Sequence, residues 1–159
     1  MNRQPVFLEA RCCTAFLHIL RSLNETWPCK LVAYVLIPDH FHLICNPRDG
    51  RIREFCRDLK SISANQIVLT SGLEFRERSD GHRVWQQSFK AIPLWSGWMI
   101  SQKINYVHAN PVKARLVKSA TDYYWSSFRS FYRLADKPLA VDHEWWWGGA
   151  KELLKQQWE

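Results

Sequence analysis

The chain has 159 residues, 47% of them apolar and 23% charged, which fits one soluble globular domain that buries its core without disulfide or metal cross-links. No window approaches the roughly 18 apolar residues of a membrane span, and no apolar leader follows Met1, so the cytoplasm is the predicted location. Five cysteines without a C-x-x-C pair argue against a disulfide framework or a structural zinc site. The net charge of +7 favours a polyanionic partner, nucleic acid above all.

Hydrophobic spacing predicts two helices and a hairpin in the first half of the chain. The expected order is helix, strand, strand and helix, over residues 8–23, 30–37, 40–45 and 51–69. Pro38 and Asp39 form the turn between the two strands. The second helix has an apolar stripe for packing and a separate basic stripe made of Arg53, Arg57 and Lys60.

The second half is predicted as loop, strand and helix, followed by an aromatic tail. The expected elements are a polar loop, a strand, a long helix and a last short helix, over residues 72–81, 83–89, 96–110 and 150–157. Pro111 is expected to end the long helix, because a proline steers the residue before it away from helical geometry. Helices interleaved with antiparallel strands indicate the α+β class.

A pair of histidines is the first candidate site. His40 and His42 stand two residues apart in a predicted strand, so both imidazoles point to one face and Phe41 points to the other. Two ligands on one strand make half of a metal site, and completion by oxygen ligands favours magnesium or manganese. The competing interpretation is that the two histidines only share a polar face, so the pair needs further ligands from elsewhere in the chain.

The helix predicted over residues 96–110 carries the second candidate site. Tyr106 and Asn110 stand at i and i+4, which stacks their side chains on one face, and the amide oxygen of Asn110 is a possible third ligand for a hard cation. A protonated phenol is a weak nucleophile, and Lys103, three residues earlier on the same face, is a candidate catalytic group that activates it. The competing interpretation is that Tyr106 is a residue at the edge of the core.

Five blocks of sequence, taken in order, resemble one known family. They are VLIPDHFHLI, KS, VWQQSF, YVHANPVKA and WSS, at residues 35–44, 60–61, 84–89, 106–114 and 125–127. The family is the REP-associated tyrosine transposases, which belong to the HUH single-strand endonucleases. The resemblance covers most of residues 5–132, and five blocks in the same order make it specific.

The resemblance implies a ferredoxin-like antiparallel sheet with helices packed on it, of the HUH endonuclease type. A catalytic domain would occupy residues 1–135, and an aromatic tail with a short helix would occupy 136–159. By this likeness His40, His42 and Asn110 hold Mg²⁺ or Mn²⁺, and Tyr106 attacks single-stranded DNA to leave a 5′-phosphotyrosine and a free 3′ hydroxyl. A second 3′ hydroxyl then rejoins the DNA, so no nucleotide cofactor is required.

The family's substrates are palindromic repeats that fold into hairpins, so basic residues become candidate phosphate contacts. These residues lie in the second helix and just beyond Asn110: Arg53, Arg57, Lys60, Lys113, Arg115 and Lys118. For each of them a solvated face is the alternative.

Relatives usually begin with a further strand before a segment like residues 2–8, where this chain starts, so the first strand of the sheet is expected to be absent or incomplete. The main hypothesis is a DNA strand transferase, monomeric or homodimeric. The alternatives are a DNA-hairpin-binding protein that has lost activity and an RNA-hairpin binder or nuclease.

Overall fold

The computed structural model describes residues 5–72, 84–86 and 89–147. Their main elements in chain order are α1 (Ala10–Thr26), β1 (Cys29–Ile37), β2 (His40–Pro47), α2 (Ile52–Ser71), α3 (Gly97–Lys113) and α4 (Phe128–Phe131). Short 3-10 helices cover Val6–Leu8 and Ala120–Asp122. Among these described helices, none combines the length and the apolar character that crossing a bilayer requires.

Strands β1 and β2 form an antiparallel hairpin at the centre of the fold. Ile37 lies opposite His40, so Pro38 and Asp39 alone make the turn, as the sequence predicts. A register shift between Leu31 and Ala33 marks an irregularity in β1. The alternation of side chains along each strand then decides which residues face each side of the hairpin.

The outer edge of β1 is covered by the chain that follows α3. The N–H of Leu36 donates to the carbonyl of Trp125 at 2.9 Å, and the N–H of Ser127 donates to the carbonyl of Tyr34 at 2.9 Å. An isolated antiparallel bridge joins Val35 to Ser126 between these two bonds. The backbone groups of this edge are therefore paired although no third strand is formed by the described residues.

The hairpin separates two apolar clusters. On one face α1 and α2 pack on the strands, with Phe16, Phe55 and Tyr34 almost fully buried. On the other face α3 packs on β1 through Ile104 and Val107. The aliphatic side chains of β1 that meet them are Val32, Ala33, Val35 and Ile37. The predicted α+β class is confirmed, with helices on both faces of an antiparallel hairpin.

The predicted end of the long helix at Asn110 is wrong, because α3 continues through Pro111 to Lys113. Proline removes one N–H, but the last turn is closed by other bonds. Arg115 adopts a φ of 58°, and the N–H of Leu116 donates to the carbonyl of Pro111 at 2.9 Å. This left-handed termination satisfies carbonyls at the end of the helix, three residues beyond the predicted end.

The strand predicted over residues 83–89 is also wrong for its described part, since Val84–Gln86 and Phe89 lie outside any strand. Apolar side chains here serve packing instead. Trp85 contacts the rings of Phe7, Phe16 and Phe41, and its indole N–H donates to the Ser63 hydroxyl at 3.0 Å. The helix predicted over 150–157 and nearly all of the loop predicted over 72–81 lie outside the described residues.

Candidate active site

The two strand histidines share the face of the hairpin that meets α3. The rings of His40 and His42 are 5.0 Å apart between centroids and almost perpendicular, and the His42 ring lies 5.4 Å from that of Tyr106. Phe41 points to the opposite face, where its ring is 4.7 Å from Phe16. The strand alternation predicted from the H-x-H spacing is confirmed, and it brings the histidines to the tyrosine helix.

Asp39, the second residue of the turn, orients the first histidine. Its carboxylate Oδ1 lies 2.6 Å from Nδ1 of His40. A carboxylate only accepts hydrogen bonds, so Nδ1 carries the proton and Nε2 is the nitrogen left for a ligand. Sequence reasoning treated Asp39 only as a turn residue. An acidic residue directly before a histidine pair is the signal that could have identified it.

Tyr106 stands at the surface of α3 between two ammonium groups. Its side chain is 42% exposed, so a polymeric substrate has access to it. The Nζ atoms of Lys103 and Lys113 lie 5.5 Å and 5.0 Å from the centre of the phenol ring. Lys103 is where the helical spacing predicts it. Lys113 was expected only as a phosphate contact, because the helix was predicted to end before it.

Asn110 lies one turn after Tyr106 on α3, and its amide oxygen is the side-chain atom that could bind a metal ion. Its Nδ2 donates to the carbonyl of Tyr106 at 3.2 Å, which leaves the amide Oδ1 as the atom suited to a hard cation. Within residues 5–72, 84–86 and 89–147, no group of three or more His, Cys, Asp and Glu could hold a metal ion. A metal at the histidine pair would therefore take its other ligands from groups of a different kind, such as the amide oxygen of Asn110, water or phosphate.

His108, which sequence reasoning missed, lies between these residues but on the buried side of α3. It is 4% exposed, and its Nε2 is hydrogen-bonded to the Ser127 hydroxyl at 2.9 Å. Burial lowers the pKa of His108 to about 4, so the ring is neutral at physiological pH. Ser127 Oγ also accepts the N–H of Tyr34 at 2.8 Å. The network ties the tyrosine helix to β1.

The six predicted DNA contacts fall into two groups. Lys113, Arg115 and Lys118 are exposed on the last turn of α3 and the segment after it, near Tyr106 in the chain. The other three are on α2, which packs with α1 on the opposite face of the hairpin.

The three residues of α2 are not brought to the tyrosine. Arg53 is exposed, whereas Arg57 pairs with Asp58 at 2.9 Å and Lys60 donates to the carbonyl of Gln86. Partial burial lowers the pKa of Lys60. Of these three side chains, that of Arg53 is therefore the most accessible to a phosphate in the described structure.

Residues 1–110 match the family model described as IS200-like transposase, which is more than half of the chain, so the chain belongs to the IS200-like transposase family. No curated protein matches the chain at a significant level.

A solved structure has a similar fold. It is that of a REP-associated tyrosine transposase bound to a REP hairpin, and it is 22% identical in sequence with a TM-score of 0.64. The match covers 90% of this chain and 80% of the other. The family model thus places the chain among the IS200-like transposases, and the solved structure confirms the fold that the sequence resemblance implied.

Proposed function

We propose that this protein is a metal-dependent endonuclease and strand transferase that acts on single-stranded DNA containing hairpins, with Tyr106 as the nucleophile. The single observation that carries the proposal is the position of Tyr106. Its ring lies 5.4 Å from that of His42, and it stands between the ammonium groups of Lys103 and Lys113. A nucleophile, a half-formed metal site and two cations for phosphate meet at one exposed place.

In this proposal a divalent ion, Mg²⁺ or Mn²⁺, is held by Nε2 of His40, the imidazole of His42 and Oδ1 of Asn110. The hydrogen bond from His40 to Asp39 supports this assignment, because it fixes the tautomer that leaves Nε2 as an acceptor. The bond from Asn110 Nδ2 to the Tyr106 carbonyl leaves the amide oxygen as the remaining ligand atom. When bound, the ion supplies Lewis-acid polarisation of a phosphoryl oxygen.

The chain's own residues then carry out an exchange of phosphodiester bonds. Tyr106 Oη loses its proton and attacks the scissile phosphorus, the bond from phosphorus to the 3′ oxygen breaks, and the departing 3′ oxygen takes up a proton. The products are a 5′-phosphotyrosine and a 3′ hydroxyl. The ammonium groups of Lys103 and Lys113 balance the charge on the phosphate. Attack by a second 3′ hydroxyl reverses these steps and releases Tyr106, so no nucleotide cofactor is consumed.

We infer that the substrate is DNA that folds into hairpins. Support comes from the net charge of +7 and from the likeness to a protein solved with a REP hairpin. Lys113, Arg115 and Lys118 are the nearest predicted phosphate contacts, because they follow Tyr106 on the same helix and the turn after it. Arg53, Arg57 and Lys60 on α2 would contact a part of the DNA hairpin that is farther from Tyr106.

The test is to trap the covalent intermediate. Purified protein is incubated with Mn²⁺ or Mg²⁺ and labelled DNA hairpins that carry single-stranded flanks, and a band that resists denaturation is sought. We expect the adduct in the wild type and in Tyr132→Phe, a control at an exposed tyrosine, and its loss in Tyr106→Phe with hairpin affinity unchanged. An adduct that persists in Tyr106→Phe excludes this tyrosine as the nucleophile.

The metal requirement is tested in the same assay. Addition of EDTA should abolish cleavage, and cleavage that survives EDTA would contradict a metal mechanism. Tight binding of hairpins by the wild type without any adduct is the result expected for the alternative, a hairpin-binding protein that has lost its activity.

A further inference from the structure

Two tryptophans at the start of α3 are unusually open to solvent. Trp95 and Trp98 are each 70% exposed, although tryptophan is among the most buried residues on average. The segment leading to them also exposes Phe89 and Ile92. Clustered exposed apolar side chains of this kind mark an interaction surface. We call these four residues the α3 entry patch.

The helix holds the second of these indoles in a defined position. Ser96 caps α3, because its hydroxyl accepts the N–H of Met99 at 3.2 Å, and Trp98 stands in the first turn that this cap stabilises. Trp98 is therefore presented by a regular, capped helix, and Trp95 lies directly before the cap. The backbone that carries Trp98 is thus ordered before binding, which lowers the entropic cost when a planar ligand stacks on its ring.

One residue of the entry patch, Trp98, lies on the same helix as the candidate nucleophile. Tyr106 follows Trp98 by eight residues, which is about 12 Å along the axis at 1.5 Å per residue and about 80° around it at 3.6 residues per turn. Both side chains thus belong to one half of the helix surface. A distance of 12 Å is the length of about three to four stacked nucleotides at 3.4 Å each. Lys103 lies between them along the helix.

We propose that Trp95 and Trp98 form a stacking platform for unpaired DNA bases next to the phosphate that Tyr106 attacks. The inference rests on the proposed function, because it concerns the strand that reaches Tyr106. Indole rings stack on any base, and the ammonium groups of Lys90, Lys103 and Lys113 on the same stretch of chain complement the backbone of a single strand. The platform would distinguish hairpins with single-stranded flanks from hairpins without them.

Binding measured in EDTA, where no cleavage interferes, tests the platform. The probes are one labelled DNA hairpin with about four unpaired nucleotides on each side and the same hairpin with blunt ends. We expect Trp98→Ala and Trp95→Ala to weaken binding of the flanked hairpin about tenfold, because base stacking on aromatic rings contributes at this level. Binding of the blunt hairpin should change less than about twofold, and Trp98→Phe should keep most of the affinity.

A probe with abasic flanks separates stacking from charge, because it keeps the phosphates and removes the bases. The wild type should lose at least about tenfold affinity for it, and Trp98→Ala should lose nothing further. Leu69→Ala, which removes an exposed apolar side chain from α2, is the matched control and should bind all probes like the wild type.

Equal weakening for all three probes would overturn the platform, and so would an absence of any effect. A wild-type dimer that Trp98→Ala converts to a monomer would also overturn it, since the patch would then join two copies of the chain. These outcomes are independent of adduct formation. A protein that fails to form the adduct but prefers flanked hairpins through Trp98 would contradict only the proposed chemistry.

Discussion

The two faces of the hairpin differ in what their side chains do, although they are built from the same two strands. On one face Phe41 packs against Phe16 and Trp85 in an aromatic cluster with α1. On the other face, one residue further, His42 meets the exposed Tyr106 of α3. Strand alternation thus places an aromatic cluster on one side of β2 and the proposed site residues on the other. Substitutions on the two faces should therefore have separable effects.

The largest effect on folding is expected on the α1 face. Phe16 is 1% exposed and contacts three other aromatic rings, so Phe16→Ala should lower the free energy of unfolding by about 3–5 kcal/mol. Chemical denaturation measures the change, with Ile62→Ala at a 44% exposed position of α2 as the control. A decrease of less than about 1 kcal/mol in the free energy of unfolding would mean that this aromatic cluster does not stabilise the β-hairpin.

The opposite pattern is expected for the histidine face. His42→Ala should reduce metal-dependent cleavage more than about 100-fold, because even residues that only support a metal ligand cost 10–100-fold when they are changed. Its free energy of unfolding should change by less than about 1 kcal/mol, since the ring is only partly buried. Cleavage rates and denaturation curves of the same preparation provide the comparison. Cleavage at the wild-type rate would remove His42 from the site.

A smaller effect on the same face is expected for Lys113. Its ammonium lies 5.0 Å from the Tyr106 ring, so Lys113→Ala should slow cleavage at saturating DNA roughly 10-fold or more, as loss of a charged hydrogen bond to phosphate does. Lys118→Ala, beyond the end of α3, should weaken DNA binding and leave the rate at saturation unchanged. If the two variants behave alike in single-turnover experiments, Lys113 is only one more phosphate contact.

The smallest effect is expected for Tyr123, which packs on the α3 face of the β-hairpin and has no part in the proposed reaction. Tyr123 donates its hydroxyl to the Leu36 carbonyl at 2.6 Å, and burial raises the pKa of this phenol to about 12. Tyr123→Phe should cost about 1 kcal/mol of unfolding free energy at neutral pH and leave cleavage unchanged.

The alkaline behaviour of Tyr123 has a definite sign. The unfolded phenol ionises near pH 10 and the folded one near 12, so its stabilisation is present below pH 10 and is lost as the pH rises towards 12. Thermal unfolding midpoints between pH 9 and 11 should therefore fall less steeply in Tyr123→Phe than in the wild type. Parallel curves would indicate that Tyr123 does not contribute to alkaline unfolding.

Local periodicity was enough to predict the parts of the fold and the site that depend on single elements. The alternation in β2 placed His40 and His42 on one face, and the i, i+4 spacing placed Asn110 one turn after Tyr106. Both follow from the geometry of one strand or one helix. Their roles as metal ligands and nucleophile stay predictions.

Features that depend on contacts between elements were not accessible in this way. Lys113 was not predicted as a neighbour of Tyr106, because Pro111 was expected to end the helix, whereas α3 continues through Pro111 to Lys113. The sequence around Trp85 has the pattern of a strand. In the structure, however, Trp85 lies outside any strand and packs against Phe16 and Phe41. The bond of His108 to Ser127 joins residues 19 positions apart, which no local pattern encodes.

The most direct test of the central claim is to locate the DNA on the protein. The trapped adduct is digested with nuclease and trypsin, and the peptides that retain a nucleotide are identified by mass spectrometry. We predict that the nucleotide is on the peptide of residues 104–113, on Tyr106. A nucleotide on a peptide that contains Tyr123 or Tyr124 would contradict the assignment of the tyrosine helix as the catalytic element.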